Sequence, residues 1–278
     1  MKQRTSDRDE RTSALVNVSE AIAASGIDAR EARILLAEVC GFSQASLVAS
    51  AEQEVPFEVQ NAFFEFARRR IQGEPVAYIL GRKEFYGLAL AVNPSVLIPR
   101  PETELLVDLA LERNSSSVLD LGTGSGAVAL AIKRHRPEAR VVAVDSDLSA
   151  LLTAKRNAIK LNLEIDFRHG RWFGPVAGER FDLIVSNPPY VASGDPHLAE
   201  LRFEPRGALL SGPEGLDSIR EIVSQAGSFL LPGSWLLLEH GLGQDRAVRD
   251  LLTGAGLESV TTWPDLAGIA RVSGGKLK

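Results

Sequence analysis

The chain has 278 residues, of which 45% are hydrophobic and 24% are charged. This composition is ordinary for a globular protein, and the length allows one large domain or two modest ones. The net charge of −5 argues against a protein that depends on broad contact with a phosphate backbone, so no stable nucleic-acid partner is expected.

The single cysteine, Cys40, excludes an intramolecular disulfide and a cysteine metal cluster. The four histidines lack the spacing of a metal site, so no bound metal is expected. No apolar run approaches the ~20 residues that span a bilayer, and residues 1–12 lack the apolar core of a signal peptide. We expect a cytoplasmic protein without a membrane partner, and a monomer by default.

Residues 13–73 carry many helix signals and almost no strand signals. Ala14, Leu15 and Val18 begin a helical pattern that Gly26 stops. Asp28 and Glu31 have the spacing of a capping box for the next helix. Further helices are predicted over Ser43–Ala49 and from Pro56 onward, the latter with Val59, Ala62, Phe63, Phe66 and Ile71 on its core side.

Three arginines, Arg68 to Arg70, lie at the end of that last helix. The favoured interpretation is a solvated helix end whose positive charges complement the helix dipole. A contact with a partner or RNA is the alternative. Residues 1–77 are predicted to form a helical domain.

Extended segments follow from Tyr78 onward. Phe85–Val92 and Val96–Ile98 flank the turn signal Asn93-Pro94-Ser95, which predicts a β-hairpin. Residues 78–100 are therefore assigned to a hairpin linker. Residues 101–278 are assigned to a second domain.

Strands and helices alternate throughout residues 101–278. This alternation predicts a mostly parallel sheet with helices on both faces. Strands are predicted at Val118–Leu121, Arg140–Asp145, Ile165–Arg168, Leu183–Ser186, Trp235–Glu239, Ser259–Trp263 and Ala270–Val272, and helices at Gly126–His135, Ser149–Asn162, Ser218–Leu230 and Gln244–Ala255.

A glycine-rich loop follows the first of these strands. Gly122, Gly124 and Gly126 permit a tight turn and close approach of a ligand, and the helix that they open supplies N–H donors. Asp145 ends the second strand, where a carboxylate can accept both hydroxyl hydrogens of a ribose. The loop also fits the dinucleotide fingerprint, so a nicotinamide oxidoreductase remains an alternative.

Two residues near this loop have more than one interpretation. Asp120 precedes the first glycine, where it could receive the amino group of an amino-acid-bearing cofactor and would repel a pyrophosphate. It could also simply cap the following turn. Trp172 could flank an adenine ring or be a partly buried core tryptophan.

The tetrapeptide Asn187-Pro188-Pro189-Tyr190 follows an apolar strand. Two prolines force a sharp turn, since neither continues a sheet ladder. The turn gathers a side-chain amide, a stiff carbonyl and a phenol ring at a strand end, where open α/β sheets bind ligands. This set suits a planar, neutral NH2 group that has to be held and aimed.

These residues resemble the class I S-adenosylmethionine-dependent methyltransferases that methylate nitrogen. Further motifs make the chain similar to the HemK-type protein-glutamine methyltransferases. Its helical first domain most resembles the group that acts on bacterial peptide chain release factors. The additional motifs are Pro75–Gly81, Glu84–Gly87, Leu97–Glu104 and Phe203-Glu204-Pro205.

The resemblance implies a Rossmann-like methyltransferase sheet with helices on both faces, beside a helical domain that recognises the protein substrate. It implies S-adenosyl-L-methionine as cofactor, S-adenosyl-L-homocysteine as product, and methylation of the glutamine in the Gly-Gly-Gln loop of release factors, which modulates translation termination. Many relatives carry Asp where this chain has Arg171, which affects a contact to the adenine amino group. The implied cofactor contacts are Gly122, Thr123, Gly124, Ser125, Gly126, Asp145, Trp172 and Asn187, and the implied catalytic residues are Asn187, Pro188, Pro189 and Tyr190.

The expected chemistry is positioning, because an amide nitrogen is a poor nucleophile. Asn187 and the Pro188 carbonyl would each accept one N–H, Tyr190 would pack on the amide plane, and Pro189 would stiffen the turn. The alternatives are a ribosomal-protein glutamine methyltransferase, an adenine-N6 nucleic-acid methyltransferase, a nicotinamide oxidoreductase and a non-catalytic binding module.

Overall fold

A computed structural model describes residues 16–278, which divide into two units, one ending at Leu80 and the other beginning at Gly81. The predicted helix positions Ala14 and Leu15 lie outside the described residues. None of the helices between residues 16 and 278 is long and apolar enough to cross a membrane.

The first unit is helical. Its core contains Leu35, Leu36, Leu47 and Phe63, all fully buried. Ile71 was predicted to lie in this core, which is wrong, because it ends its helix beyond the packed turns and is 62% exposed. The helices are α1 (Val18–Ala24), α2 (Ala29–Cys40), α3 (Gln44–Ala49), α4 (Phe57–Ile71) and α5 (Val76–Leu80).

Side-chain caps begin the first two helices. Asn17 and Glu20 form a capping box at α1, which the sequence pattern did not predict. Asp28 caps α2 through the backbone N–H groups of Arg30 and Glu31, as predicted. The second half of the predicted capping box is replaced by an ion pair, because the Glu31 carboxylate accepts from Arg70 Nε at 2.8 Å.

Each arginine at the end of α4 has a carboxylate partner. Besides the pair with Glu31, Arg68 contacts Glu65 at 2.6 Å and Arg69 contacts Glu74 at 2.5 Å. Ion pairs thus satisfy the three charges within the first unit, in keeping with the interpretation as an ordinary helix end.

The second unit begins with a hairpin in a different register from the predicted one. Strands β1 (Arg82–Phe85) and β2 (Leu88–Ala91) pair antiparallel around Tyr86 and Gly87. Both turn residues have positive φ, 50° and 73°, as a two-residue hairpin turn requires. The predicted turn at Asn93–Ser95 is a local turn held by its own side chains, and Val96–Ile98 forms no strand.

A seven-stranded sheet forms the centre of the second unit, and the Rossmann-like prediction is confirmed. The strand order is β5-β4-β3-β6-β7-β9-β8. The first five strands in this order pair parallel, and the last two pair antiparallel at one edge. The strands are β3 (Ser117–Leu121), β4 (Arg140–Asp145), β5 (Asp166–His169), β6 (Phe181–Ser186), β7 (Leu230–Glu239), β8 (Glu258–Pro264) and β9 (Ala270–Lys276).

Helices cover both faces of the sheet. Neighbouring residues of β3 show this, since Val118 packs into one apolar cluster with Leu130 and Leu119 packs into the other with Ile219. A 3₁₀ turn at Pro101–Thr103 precedes the first helix. The helices are α6 (Glu104–Glu112), α7 (Ala127–His135), α8 (Leu148–Leu161), α9 (Asp217–Ala226) and α10 (Asp245–Gly254).

The strand order reverses between β3 and β6. From β3 the chain moves to β4 and β5 on one side and then returns to β6 on the other. Leu121 and Ser186 are paired in register, and the Ser186 hydroxyl donates to the Leu121 carbonyl at 2.6 Å. The next residues, Gly122 and Asn187, therefore leave adjacent strands at the topological switch point, where ligands bind in such sheets.

Candidate active site

A cavity of about 500 Å³ opens at this switch point in the second unit. The ends of β3, β4 and β6 form its floor, and the segments 95–103 and 205–218 form two of its walls. Most of the predicted site residues line it. They are Gly122, Thr123, Gly124, Ser125, Asp145, Trp172, Asn187 and Pro189, whereas Gly126, Pro188 and Tyr190 lie outside the lining.

Most N–H groups of the glycine loop donate to strand β4 and not to the cavity. Gly122 and Thr123 both donate to the Val144 carbonyl, at 2.8 and 3.0 Å, and Gly124 donates to Asp145 at 2.8 Å. These three N–H groups lie before α7, whose N-terminus was predicted to supply donors, and strand β4 already accepts them. A pyrophosphate needs such donors, so this arrangement counts against the dinucleotide interpretation.

Gly126 serves helix packing. Its φ is +84°, and a Cβ there would lie 3.1 Å from the Ala154 Cβ and 3.0 Å from Leu130. Glycine at this position thus lets α7 approach α8 closely.

Asp120 is a buried carboxyl beneath the glycine loop. It is 2% exposed, and it accepts a hydrogen bond of 2.6 Å from the Thr123 hydroxyl. Burial raises the pKa of Asp120 to about 7, against the opposing effect of its hydrogen bonds. It therefore caps the turn and also faces the cavity, where a cationic group would favour its ionised form.

Asp145 lies at the end of β4, as predicted. Its two oxygens accept from the backbone N–H groups of Gly124 and Asp147, each at 2.8 Å. Burial raises the pKa of this carboxyl as well. Each oxygen keeps a further lone pair, so the carboxylate is held in place with capacity for hydroxyl donors from the cavity.

Trp172 forms a wall of the cavity and belongs to the core of the unit. It is 8% exposed, its φ is +46°, and a Cβ on Gly122 would lie 3.5 Å from its ring. Arg171 packs its guanidinium 5.3 Å from the same ring and donates to Glu221 at 2.9 Å. Trp172 is thus a core tryptophan that also presents an aromatic surface to the cavity.

Asn187 begins the Pro-Pro turn with its amide held at one end. Its Nδ2 donates to the Thr103 hydroxyl at 3.1 Å. Its Oδ1 is buried without a hydrogen-bond partner among the described residues. Because an unpaired buried acceptor is costly, this oxygen is poised for a donor that enters the cavity.

Tyr190 is fixed at both its ring and its backbone. Its hydroxyl donates to Glu239 Oε1 at 3.3 Å, and its carbonyl accepts from Gln244 Nε2 at 3.0 Å. Burial, together with the charge of Glu239, raises the pKa of the phenol, which stays neutral. Tyr190 is therefore a rigid, neutral aromatic side chain behind the turn.

Sequence reasoning missed Glu239 and Thr103. Glu239 is 1% exposed, and burial raises its pKa to about 7. A signal for it existed, since an acid that ends an apolar strand is the same pattern that identified Asp145. Thr103 lies within the Leu97–Glu104 motif, but nothing in the sequence pairs it with Asn187.

Two of the motifs found in the sequence meet beside the cavity. Glu204 is buried, pairs with Arg100 and accepts from the Ile98 N–H at 3.1 Å. The motifs Leu97–Glu104 and Phe203-Glu204-Pro205 thus meet and fix the segments that flank the cavity. Among residues 16–278, no cluster of three or more His, Cys, Asp or Glu side chains could hold a metal.

Comparison with known proteins gives matches over both units. The PrmC N-terminal domain family matches residues 13–81, and the Methyltransferase small domain family matches residues 101–202. The release factor glutamine methyltransferase of Burkholderia pseudomallei is 47% identical over 272 residues, which are 93% of this chain and 95% of that protein.

Two solved structures share the fold. A methyltransferase from Pyrococcus furiosus aligns with a TM-score of 0.54 and 19% identity, over 75% of this chain and 96% of its own. The T. thermophilus 16S rRNA N2 G1207 methyltransferase, solved with AdoMet and guanosine, aligns with a TM-score of 0.54 and 23% identity, over 71% and 50%. Because nearly half its residues match a curated relative over most of both chains, this chain belongs to the family of release factor glutamine methyltransferases.

Proposed function

We propose that the protein methylates the side-chain nitrogen of the glutamine in the Gly-Gly-Gln loop of peptide chain release factors. As a member of its family it is an S-adenosylmethionine-dependent protein-glutamine methyltransferase. The observation that carries the choice of target atom is the unpaired, buried Oδ1 of Asn187. A primary amide is a neutral group whose N–H can pair with it.

The donor set of the cavity fits S-adenosyl-L-methionine. Asp120 is suited to the ammonium group of the cofactor, Asp145 to its ribose hydroxyls and Trp172 to the edge or face of its adenine. Gly122, Thr123, Gly124 and Ser125 form the loop beside it. When bound, the cofactor supplies an electrophilic methyl group, so that the amide nitrogen gains a carbon and releases one proton to solvent.

The residues of the Asn187–Tyr190 turn hold the substrate amide. Asn187 Oδ1 accepts one N–H, and the Pro188 carbonyl accepts the other. Tyr190, which lies outside the cavity lining, supports the turn from behind, and Pro189 stiffens the turn. Orientation of this kind can lower a barrier by up to ~7–11 kcal/mol. As the nitrogen becomes cationic, both acceptors hold its protons more strongly, which favours the transition state.

The helical first unit is proposed to recognise the release factor. One glutamine among many has to be selected, and a cavity of about 500 Å³ contacts only the side chain and its neighbours. The net charge of −5 supports a protein substrate over a nucleic acid. We place the reaction in the cytoplasm, where release factors act, and take the enzyme to be a monomer.

Methyl transfer to purified candidates tests this function. The protein is incubated with labelled S-adenosylmethionine and, separately, a release factor, a ribosomal protein and DNA. Tandem mass spectrometry of the release-factor loop should place one methyl on the glutamine side chain. A release factor with Gln→Asn in that loop is the matched control and should stay unlabelled. Label only on the ribosomal protein or DNA would overturn the assignment.

A further inference from the structure

The orientation of the Asn187 amide decides whether the Asn187–Tyr190 turn, here called the clamp, can hold the substrate amide. With Nδ2 toward Thr103, the side chain presents an acceptor to the cavity. Rotated by 180°, it would present Nδ2, which repels the N–H of a substrate amide. The Thr103 hydroxyl allows either orientation by itself, because a hydroxyl both donates and accepts. The orientation is fixed only if another group accepts the hydrogen bond that the Thr103 O–H donates.

Glu239 is placed to do this. Its carboxyl is buried at the end of β7, where Oε1 accepts from Tyr190 and Oε2 has no direct hydrogen-bond partner among the described residues. The Thr103 hydroxyl lies near enough to lower the pKa of this carboxyl. The Thr103 hydroxyl can thus donate its proton to Glu239 Oε2, the carboxyl oxygen that lacks another partner.

We propose that Glu239 is a positioning residue that sets the orientation of the Asn187 amide by accepting the Thr103 hydroxyl proton. Thr103 Oγ1 can then only accept from Asn187 Nδ2, which turns Oδ1 toward the substrate. The same carboxyl holds the Tyr190 hydroxyl, so one group aligns both sides of the clamp. The proposal rests on the function proposed above.

Protonation of Glu239 should reverse this chain of hydrogen bonds. A protonated carboxyl can donate to Thr103, which then donates to Asn187 and favours the rotated amide. Because the pKa of Glu239 is about 7, the change falls near neutral pH. Turnover should therefore rise as pH increases through this region, when the carboxylate form becomes dominant.

Other charged groups face this carboxyl from each side. The charge of Arg271 on β9 lowers the pKa of Glu239, and Glu102 in the 3₁₀ turn raises it. Burial keeps the neighbouring Tyr190 phenol neutral. His240 has its two ring nitrogens engaged by the Gly241 carbonyl and the Ser273 hydroxyl, and burial lowers its pKa. Glu239 is thus the member of this group that titrates near pH 7.

Glu239→Gln tests the proposal, because its amide keeps the shape but can donate to Thr103. At saturating cofactor and pH 8, we expect its kcat to fall about tenfold or more, since a misoriented amide removes a preorganised acceptor. The KM for the release factor and the Kd for S-adenosylhomocysteine should stay within about twofold, because both depend on other contacts. The rise of kcat with pH that is expected for the wild type below about pH 7 should be absent in Glu239→Gln.

Asp182→Asn is the matched control. This carboxyl lies near the start of β6, at the end of the strand opposite the cavity, where it accepts from Ser117, and its replacement should leave kcat and the pH profile unchanged. Wild-type kcat in Glu239→Gln, with the rise of kcat below about pH 7 intact, overturns the proposal.

A readout without turnover separates this proposal from the proposed function. In selectively ¹⁵N-Asn-labelled enzyme, the Asn187 side-chain amide signals should shift with a midpoint near pH 7. The shift should be absent in Glu239→Gln and present in Asp182→Asn. If the wild type transferred no methyl, this titration would still decide the orientation. If Glu239→Gln failed to fold, a wild-type Asn187 signal that does not titrate would overturn the proposal.

Discussion

The backbone of Gly215 lies against the carbonyl oxygen of Tyr190, so closely that a Cβ on Gly215 would overlap that oxygen. The same carbonyl accepts from Gln244 Nε2, whose side chain also accepts from the Gly241 N–H at 2.8 Å. The end of the Pro-Pro turn at Tyr190 is therefore fixed by the close backbone of Gly215 and by the Gln244 side chain, which bonds both Tyr190 and Gly241.

Gly215→Ala should disturb this turn, whereas Gly243→Ala should not. Both glycines have nearly the same φ, +74° and +76°, so each alanine carries a left-handed strain of about 1–2 kcal/mol. Only at Gly215 would the new methyl also meet backbone, while at Gly243 nothing lies within 4 Å. We expect Gly215→Ala to lose more unfolding free energy than Gly243→Ala. We expect kcat to fall in Gly215→Ala and to stay unchanged in Gly243→Ala. Equal stabilities and rates in urea unfolding and turnover assays would show that the close packing is unimportant.

Asn187→Ala should lower kcat by roughly 10²–10³-fold, the usual cost of one preorganised polar group in a transition state. Calorimetry with S-adenosylhomocysteine checks that the cofactor site survives. Asn157→Ala is the comparison, since that buried amide bonds Ala91 and Ser125 backbone groups and its loss should affect stability more than turnover. Near-normal kcat in a folded Asn187→Ala variant contradicts the clamp.

The sheet and the position of its ligand edge could be predicted from sequence. Apolar runs that end in Asp145 or in Asn187 identify parallel strands and their carboxyl ends, because both signals are local. The predicted position of the hairpin turn is wrong because it also rests on a local signal. Two positive-φ residues, Tyr86 and Gly87, make a compatible turn, but Asn93-Pro94-Ser95 is a stronger turn signal in composition.

Much of the candidate site depends on contacts between residues far apart in the chain. Thr103 meets Asn187 across 84 positions, and Tyr190 meets Glu239 across 49. No periodicity or spacing encodes such pairs, since they arise only when the sheet brings strand ends together. The inward-turned N–H groups of the glycine loop are of the same kind, because their acceptor belongs to β4.

Asp120→Asn should change the pH dependence of stability. Burial raises the folded-state pKa of Asp120 from 3.8 to about 7, so the folded protein keeps a proton that the unfolded chain releases. The contribution of Asp120 to wild-type stability is then fully present below pH ~4 and is lost as pH rises toward 7. Since a tenfold difference in proton affinity corresponds to about 1.4 kcal/mol, the whole loss is about 4 kcal/mol. The asparagine can still accept from Thr123 without this loss.

Urea unfolding of both proteins at pH 5 and pH 8 measures this effect. Titrating groups that do not interact with Asp120, Glu239 among them, are common to both proteins and cancel in the difference. The stability of Asp120→Asn relative to wild type should increase with pH. A difference that is the same at both pH values would mean that Asp120 does not titrate in this range.

Removal of the first unit should separate cofactor binding from protein recognition. The helix Val76–Leu80 belongs to the first unit, which moves the cut from the predicted boundary at Tyr78 to Gly81. Residues 81–278 contain the whole cavity, so they should bind S-adenosylhomocysteine with wild-type affinity. They should fail to methylate an intact release factor, because the proposed docking surface is gone.

A short peptide with the Gly-Gly-Gln sequence bypasses docking, and the full-length and shortened proteins should methylate it at similar, slow rates. Unchanged activity of the shortened protein on the intact release factor would place substrate recognition in the second unit.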